Sequence, residues 1–307
     1  FKLAALVPAS ANLTLKNEIL EMTNEEFVKK RPQKKSKLFF RILRSAAIIY
    51  VVVTVFVVIG EPWLMFPGII RPSENIDTTN PQLKTVSIET GNEQQLQGLL
   101  YEPEHSRGLL IICHGNGDLL CYMEEEVQMR SQQFNVAVLA FDYRGFGNSE
   151  GFPTASRLYE DGQAAYDFAI QQGYQPDKIV IYGRSLGGAV AVSIAAENQV
   201  AGLALRSTFS SITDVAAGKF PWLPVRWLLR NRFPSAEKIA AYQGPLVQRH
   251  GTADRIVPIR FGRELHEAAV NASPKVFVEE KGLGHNTPPT EKFWDAFDKM
   301  LDQCLGQ

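Results

Sequence analysis

From residue 72 onward, the apolar and polar positions form a regular alternation of short apolar runs and helix-length segments. The runs at 86–89 and 96–101 alternate in polarity and flank a turn at Gly91-Asn92, as in two half-buried strands. Six further runs are mostly apolar, as in strands buried on both faces: 109–113, 136–141, 178–182, 200–205, 245–249 and 275–278. Candidate helices lie at 118–132, 155–172, 186–197, 260–270 and 289–303.

This alternation predicts an α/β fold. Buried strands that alternate with helices pair in parallel, and the crossover helices cover both faces of the sheet. We therefore expect a mostly parallel, doubly wound sheet. Residues 207–243 interrupt the alternation and are predicted to form an insertion.

A basic segment followed by a long apolar run lies upstream of this region. Residues 1–45 contain ten Lys or Arg and four Asp or Glu, a net charge of +6, and residues 45–60 contain no charged residue. Sixteen residues make a helix of only about 24 Å, whereas the hydrocarbon core is about 30 Å thick. A start at Leu38, with two arginines extending towards the lipid headgroups, gives a helix that can span the membrane.

The sequence thus predicts a basic segment at 1–37, a transmembrane anchor at 38–66 and a globular domain at 67–307. Trp63 and Phe66 are expected at the far membrane interface. The excess of positive charge before the apolar run favours a cytosolic N-terminus and an extracytosolic domain. A hydrophobic helix that is buried or lies on the membrane surface is the alternative. A cleaved signal peptide fits poorly, because no cleavage site of the usual small-residue type follows the run.

The overall composition excludes several classes of protein. The 307 residues carry a formal net charge of −1 and are 45% apolar, which argues against a general nucleic-acid binder. Three cysteines, Cys113, Cys121 and Cys304, are too few and too scattered for a disulfide framework or a cysteine-rich zinc site.

A candidate nucleophile follows the run at 178–182. The sequence Gly183-Arg-Ser-Leu-Gly187 matches G-x-S-x-G between a strand and a helix, where small neighbours allow a turn sharp enough to expose the serine hydroxyl. Ser185 is therefore the candidate nucleophile, and the alternative is a tight turn with an incidental serine.

A serine nucleophile needs a base and an acid that orients the base. His285 follows the last strand in the glycine-containing segment 282–286, and Asp254 follows the preceding strand. The order Ser185, Asp254, His285 is that of an α/β-hydrolase triad. His114 and His250 precede glycines at strand ends and are expected to hold loops by hydrogen bonds.

An oxyanion that forms during acyl transfer needs preorganised donors. The backbone N–H of Leu186, directly after the nucleophile, is one candidate. The second is the N–H of Asn116 in His114-Gly-Asn-Gly117, where Gly115 allows the bend that directs the donor.

Together these residues resemble the serine hydrolases of the α/β-hydrolase fold, in particular the membrane-anchored α/β-hydrolase-domain proteins. The resemblance extends over residues 60–300 and rests on five ordered motifs: 114–117, 141–151, 183–187, 250–254 and 284–286. It implies an α/β-hydrolase fold with a small helical cap. It also implies hydrolysis of esters or thioesters, including acyl lipids and acylated proteins, with no metal or organic cofactor.

The insertion at 207–243 is the candidate cap. Its apolar and cationic stretch contains Phe220, Trp222 and Trp227, which are candidate substrate-binding residues. The cap either packs its aromatic residues onto the hydrolase core or contacts an anionic membrane and admits acyl chains.

Part of the insertion is predicted to be an amphipathic helix. Val225, Leu228 and Leu229 are expected on one helical face, and Arg226 and Arg230 on another.

Two other functions remain open at this stage. A peptidase of the prolyl-oligopeptidase type uses the same triad, but it usually needs acidic residues to bind a peptide amine, and the middle of the insertion has none. A membrane-tethered binding module on the same fold is the non-enzymatic alternative, which loss of a triad residue would favour.

Overall fold

A computed structural model of the protein describes residues 17–18, 20–21, 32–76 and 80–306. The chain divides into two compact units, Phe1–Ile59 and Gly60–Gln307. Helix α1 (Pro32–Met65) begins in the first unit and ends in the second. Its Ser36–Met65 portion is long and apolar enough to cross a membrane, with a mean hydropathy of 2.6 over its most apolar stretch.

The second unit is built on one mostly parallel sheet. In the described residues its strands are β1 (Leu83–Glu89), β2 (Gln95–Tyr101), β3 (Leu109–Cys113), β4 (Ala137–Phe141), β5 (Ile179–Arg184), β6 (Gly202–Arg206), β7 (Leu246–Gly251) and β8 (Lys275–Glu280). The order across the sheet is β1-β2-β4-β3-β5-β6-β7-β8. Among these described strands, only the pairs β1–β2 and β2–β4 are antiparallel.

Helices cover both faces of the sheet, as expected for buried parallel strands. After α1 the helices are α2 (Glu124–Phe134), α3 (Ala155–Gln171), α4 (Leu186–Glu197), α5 (Ile212–Lys219), α6 (Val225–Leu228), α7 (Ser235–Ile239), α8 (Ile259–Ala268) and α9 (Glu291–Leu305). Neighbouring strand residues point to opposite faces of the sheet. Ile111 lies in the hydrophobic core between the sheet and helices α3, α4 and α8, and Ile112 lies in the core between the sheet and helices α2 and α9.

The predicted α/β architecture, a mostly parallel and doubly wound sheet, is confirmed. Strand β3 and helix α4 have the predicted bounds, but the predicted helix at 118–132 begins only at Glu124. Its first residues form a loop and a short 3₁₀ turn, because Asp118 accepts a hydrogen bond from Gly115 N–H and Leu120 N–H donates to Asp142.

The junction between helix α1 and the hydrolase unit differs from the prediction. The compact unit begins at Gly60, seven residues ahead of the predicted domain start at 67. The prediction that Phe66 lies at a membrane interface is wrong, because its side chain is fully buried and packs edge-to-face against Phe233. Trp63 remains half-exposed.

The insertion contains three short helices, α5 to α7. This agrees with the prediction that it forms a small helical cap. The predicted amphipathic helix is shorter than expected: α6 ends at Leu228, so Arg230 lies beyond it. Arg230 forms an ion pair with Glu61, whereas Arg226 pairs with Asp214. These ion pairs separate the two arginines that the sequence pattern assigned to one helical face.

Candidate active site

Ser185 occupies the turn between strand β5 and helix α4. Its backbone angles are φ 53° and ψ −116°, a strained conformation that residues other than glycine rarely adopt. Ser185 N–H donates to the carbonyl of Arg206 at 2.9 Å. A Cβ atom at Gly187 would overlap the carbonyl oxygen of Cys113, so only glycine lets α4 approach the loop after β3. The serine side chain therefore projects from the apex of a constrained turn.

The side chains of Ser185, His285 and Asp254 form a continuous hydrogen-bonded chain. His285 Nε2 lies 3.0 Å from Ser185 Oγ, and His285 Nδ1 lies 2.7 Å from Asp254 Oδ2. The three residues follow strands β5, β8 and β7, whose carboxyl ends meet at one edge of the sheet. The structure thus brings together the residues selected from the sequence, and their catalytic role stays a prediction.

The Asp254 carboxylate is buried and held by several donors. Its Oδ1 accepts hydrogen bonds from the N–H groups of Ile256 and Val257 at 2.9 and 2.8 Å. Burial alone would raise the pKa of Asp254, but hydrogen bonds from His250 and His285 outweigh it and hold the pKa well below its usual value. Asp254 is therefore ionised at neutral pH and can stabilise a positive charge on His285.

His250 supports Asp254 from within the core. Its Nε2 lies 2.8 Å from the carbonyl oxygen of Val257 and 3.2 Å from Asp254 Oδ2. A Cβ atom at Gly262 would overlap the imidazole ring, so α8 packs directly on it. His250 therefore holds the Asp254 loop, in agreement with its predicted role.

The two candidate oxyanion donors follow adjacent strands of the sheet. Cys113 at the end of β3 pairs with Gly183 on β5, and Asn116 and Leu186 follow these two positions. Neither of their backbone N–H groups donates to an acceptor in the described part of the chain. Both N–H groups therefore stay candidate oxyanion donors.

An ion pair between Asp118 and Arg184 links the two candidate donor segments. Asp118 Oδ2 also accepts a hydrogen bond of 2.9 Å from Gly115 N–H. Burial lowers the pKa of Arg184 to about 10, so the guanidinium is charged at neutral pH. The sequence analysis missed this pair, although Arg184 occupies a variable position of the G-x-S-x-G motif.

The loop that carries His285 is fixed by a buried network that the sequence analysis also missed. Arg249 and Glu280 form an ion pair and are both buried. Arg249 donates to the carbonyl of Thr287 at 3.0 Å, and Glu280 accepts from the N–H and hydroxyl of Thr290 at 2.7 Å. Thr287 and Thr290, which lie shortly after His285, are thereby bonded to the same buried ion pair.

The three candidate substrate-binding aromatics lie on the outside of the cap. Phe220, Trp222 and Trp227 are 47, 54 and 87% exposed. Trp227 borders a cleft of about 750 Å³ that Arg226 and Arg260 also line. None of the three candidate catalytic residues lines this cleft, and the substrate-binding role of the aromatics stays a prediction.

The arrangement is suited to acyl transfer. It combines a strained serine, a hydrogen-bonded base, an ionised acid and two unpaired backbone donors. Among the described residues, no group of three or more His, Cys, Asp or Glu side chains is placed to hold a metal ion.

Comparisons with known proteins show which proteins this chain is similar to. The family model described as serine aminopeptidase, S33, matches residues 104–239. An uncharacterized protein of Mycobacterium tuberculosis is 36% identical over 246 residues, which cover 77% of this chain and 86% of that protein. The human alpha/beta hydrolase domain-containing protein 17B is 32% identical over 199 residues, which cover 64% of this chain and 66% of that protein.

A solved structure of a Pyrococcus furiosus esterase has a similar fold. It superposes with a TM-score of 0.62 and 20% identity, and the match covers 77% of this chain and 100% of that chain. At this identity the likeness bears on the fold alone.

Proposed function

The chain belongs to the α/β-hydrolase-domain family, and on this basis we propose that it is a serine hydrolase that cleaves carboxylic esters or thioesters through an acyl-serine intermediate. The observation that carries the proposal is the hydrogen-bonded chain of Ser185, His285 and Asp254. The strained backbone of the serine and the two unpaired N–H groups beside it support the same chemistry.

The first half-reaction transfers the acyl group to the enzyme. Neutral His285 accepts the Ser185 proton on Nε2 while the serine oxygen attacks the carbonyl carbon. The N–H groups of Asn116 and Leu186 bind the resulting oxyanion, and removing one such donor costs about 3–4 kcal/mol of barrier. His285 then gives its proton to the leaving alcohol, or to a leaving thiolate where needed, as the bond between the acyl carbon and the leaving group breaks.

The second half-reaction releases the acid. Water attacks the acyl carbon of the Ser185 ester and gives a proton to His285 Nε2. Collapse of the second tetrahedral intermediate breaks the bond to Ser185 Oγ, which takes the proton back from His285. Ionised Asp254 stabilises the imidazolium in both halves.

A peptidase is the second candidate, because the matching family model is described as a serine aminopeptidase. An aminopeptidase must bind a free cationic amine near the nucleophile. The insertion 207–243 contains two acidic residues, Asp214 and Glu237, and Asp214 is paired with Arg226. This argues for an ester or thioester substrate rather than a peptide with a free N-terminus.

A substrate panel tests the assignment. Turnover is measured with p-nitrophenyl esters of increasing chain length, a palmitoyl thioester and aminoacyl amides. The proposal predicts turnover of esters or thioesters at least about a hundredfold faster than that of the amides. Preferential cleavage of aminoacyl amides would instead favour the peptidase.

We further propose that helix α1 anchors the protein in a membrane. Residues 38–59 precede the hydrolase unit and number 22, which gives a helix of about 33 Å at about 1.5 Å per residue, long enough for a hydrocarbon core of about 30 Å. The basic residues upstream favour a cytosolic N-terminus and an extracytosolic hydrolase unit. We expect the protein to resist alkaline carbonate extraction. We also expect a protease added on the extracytosolic side to digest the hydrolase unit. Its digestion only from the cytosolic side would reverse the topology.

The exposed aromatics of the cap suit a substrate presented by a membrane. Phe220, Trp222 and Trp227 are solvent-exposed beside cationic Lys219 and Arg232, a combination that suits the headgroup region of a bilayer. Acyl lipids and acylated proteins are accordingly the proposed substrate classes. A monotonic loss of rate with acyl chain length in the ester panel would count against them.

A further inference from the structure

The end of helix α1 is fastened to the cap by a buried carboxylate. Glu61 is 5% exposed, and its side chain accepts four hydrogen bonds. The backbone N–H and Nε of Arg230 donate at 3.0 and 2.8 Å, and the backbone N–H and Nδ2 of Asn231 donate at 2.9 and 3.0 Å. A buried carboxylate persists only where such donors compensate its charge. Glu61 therefore fixes the last turns of the helix to the segment after α6.

The same segment is joined to the core at two more points. Asn231 Oδ1 accepts a hydrogen bond of 2.7 Å from Ala155 N–H at the start of helix α3. Phe66, directly after the helix, is fully buried, and its ring centroid lies 6.4 Å from that of Phe233. The backbone from Glu61 to Phe66 is thus held in one position against the hydrolase core.

The last carbonyl of this helix contacts the oxyanion loop. Met65 is the final residue of α1, so its carbonyl oxygen has no later N–H of the helix to bind. The side-chain amide of Asn116 donates to this oxygen. Asp118 already holds Gly115 on one side of Asn116, and the bond to Met65 adds a second restraint at Asn116 itself.

We infer that the end of the apolar helix supports the active site through two of its groups, the Glu61 carboxylate and the Met65 carbonyl. The Met65 carbonyl and, behind it, Glu61 are positioning groups that hold the Asn116 N–H where the oxyanion forms. This inference rests on the proposed serine-hydrolase function and gives the helix a role besides membrane attachment. A misplacement of about 1 Å in a catalytic group can lower the rate about a hundredfold. A loosened helix end should therefore lower turnover by displacing the Asn116 N–H, although the helix itself makes no contact with the substrate.

Three single variants of the full-length chain test the inference. Asn116→Ala keeps the backbone donor and removes its bond to Met65, and Glu61→Gln removes the charge that holds Arg230 and Asn231. Leu64→Ala is the matched control, because Leu64 is exposed on the same turn of the helix. The measurements are kcat and KM for a short p-nitrophenyl ester, with the melting temperature of each variant.

The expected result is a loss in kcat with little change in KM. Asn116→Ala should lower kcat by about tenfold to a hundredfold and change KM by less than about twofold. Glu61→Gln should show the same pattern more weakly, and Leu64→Ala should leave both constants unchanged. The combined Glu61→Gln and Asn116→Ala variant should lose less than the product of the two single effects, because both act through the helix end.

Folded variants with the wild-type kcat, or with a raised KM alone, would overturn the inference. Asn116→Ala decides the matter if Glu61→Gln does not fold, since Asn116 is partly exposed and lies in a loop. Labelling with a fluorophosphonate is run in parallel. Absence of labelling at Ser185 in the wild-type chain would refute the proposed function itself, whereas normal labelling with unaffected variants would refute only the positioning role.

Discussion

Arg249 and Glu280 form a fully buried ion pair at the base of the loop that carries His285. Arg249 also donates to the Thr287 carbonyl, and Glu280 accepts from Thr290. One pair of charges thereby connects strands β7 and β8 to the segment that follows the candidate base. The position of His285 depends on this pair as well as on Asp254.

Replacing Glu280 by Gln should lower both stability and turnover. The change leaves the Arg249 guanidinium buried without its counter-charge, which typically costs about 3–5 kcal/mol of unfolding free energy. The loss is measured by urea unfolding, and kcat is measured on the same samples. Glu279→Gln is the control, because Glu279 is the preceding residue of β8 and its ion pair with Arg263 is exposed. Equal effects of the two substitutions would contradict the account.

The Asp254 carboxyl should make stability depend on pH in a defined direction. Although burial would raise its pKa, hydrogen bonds from His250 and His285 hold it below the ordinary value of 3.8. A carboxyl whose pKa is lower in the folded than in the unfolded chain stabilises the fold above its unfolded pKa, and this stabilisation is lost as pH falls through the folded pKa. The stability difference between wild type and Asp254→Asn should be largest above about pH 4 and shrink at lower pH.

Urea unfolding of both proteins between about pH 2.5 and pH 7 measures this difference. A difference that does not change with pH would show that Asp254 is not stabilised as an anion. The same substitution should reduce kcat by about 10⁴-fold at neutral pH, because it disturbs the tautomer and orientation of His285.

The nucleophile turn should not tolerate a methyl group at Gly187. A Cβ atom there would overlap the carbonyl oxygens of Cys113 and His114, so Gly187→Ala must displace helix α4 or the oxyanion loop. We expect a loss of about 1–3 kcal/mol in stability and a lower rate of fluorophosphonate labelling. Gly91→Ala is the control, since a Cβ at Gly91 meets no atom within 4 Å. Wild-type labelling and stability in Gly187→Ala would be inconsistent with the turn described above.

Trp227, the more exposed of the two cap tryptophans, should matter most when the substrate lies in a bilayer. Trp227→Ala removes the most exposed of the three cap aromatics. Turnover of a long-chain ester in anionic vesicles should therefore fall about three- to tenfold. Turnover of a soluble short ester should fall less. Val270→Ala, at an exposed apolar position outside the cap, serves as the control. A loss of the same size with both substrates would argue against membrane contact.

Much of the fold and of the candidate triad could be predicted from local sequence patterns. Strand β3 is a continuous apolar run, and helix α4 follows a G-x-S-x-G turn, so both elements were predicted with the observed bounds. Ser185, Asp254 and His285 each follow a predicted strand. Because the carboxyl ends of parallel strands lie at one edge of a sheet, the convergence of these residues follows from the strand order.

The supporting contacts could not be predicted, because they join residues that share no local pattern. Glu280 lies 31 residues after Arg249, and neither lies within a recognisable motif. Glu61 and Phe66 belong by composition to the end of an apolar segment, and only tertiary packing with Asn231 and Phe233 shows that they are part of the hydrolase unit.

The most direct test of the central claim is fluorophosphonate labelling, with the modified residue identified by peptide mass spectrometry. The account predicts a single phosphonylated serine at Ser185, no labelling or ester turnover in Ser185→Ala, and strongly slowed labelling in His285→Ala. Full labelling and turnover in Ser185→Ala would contradict it.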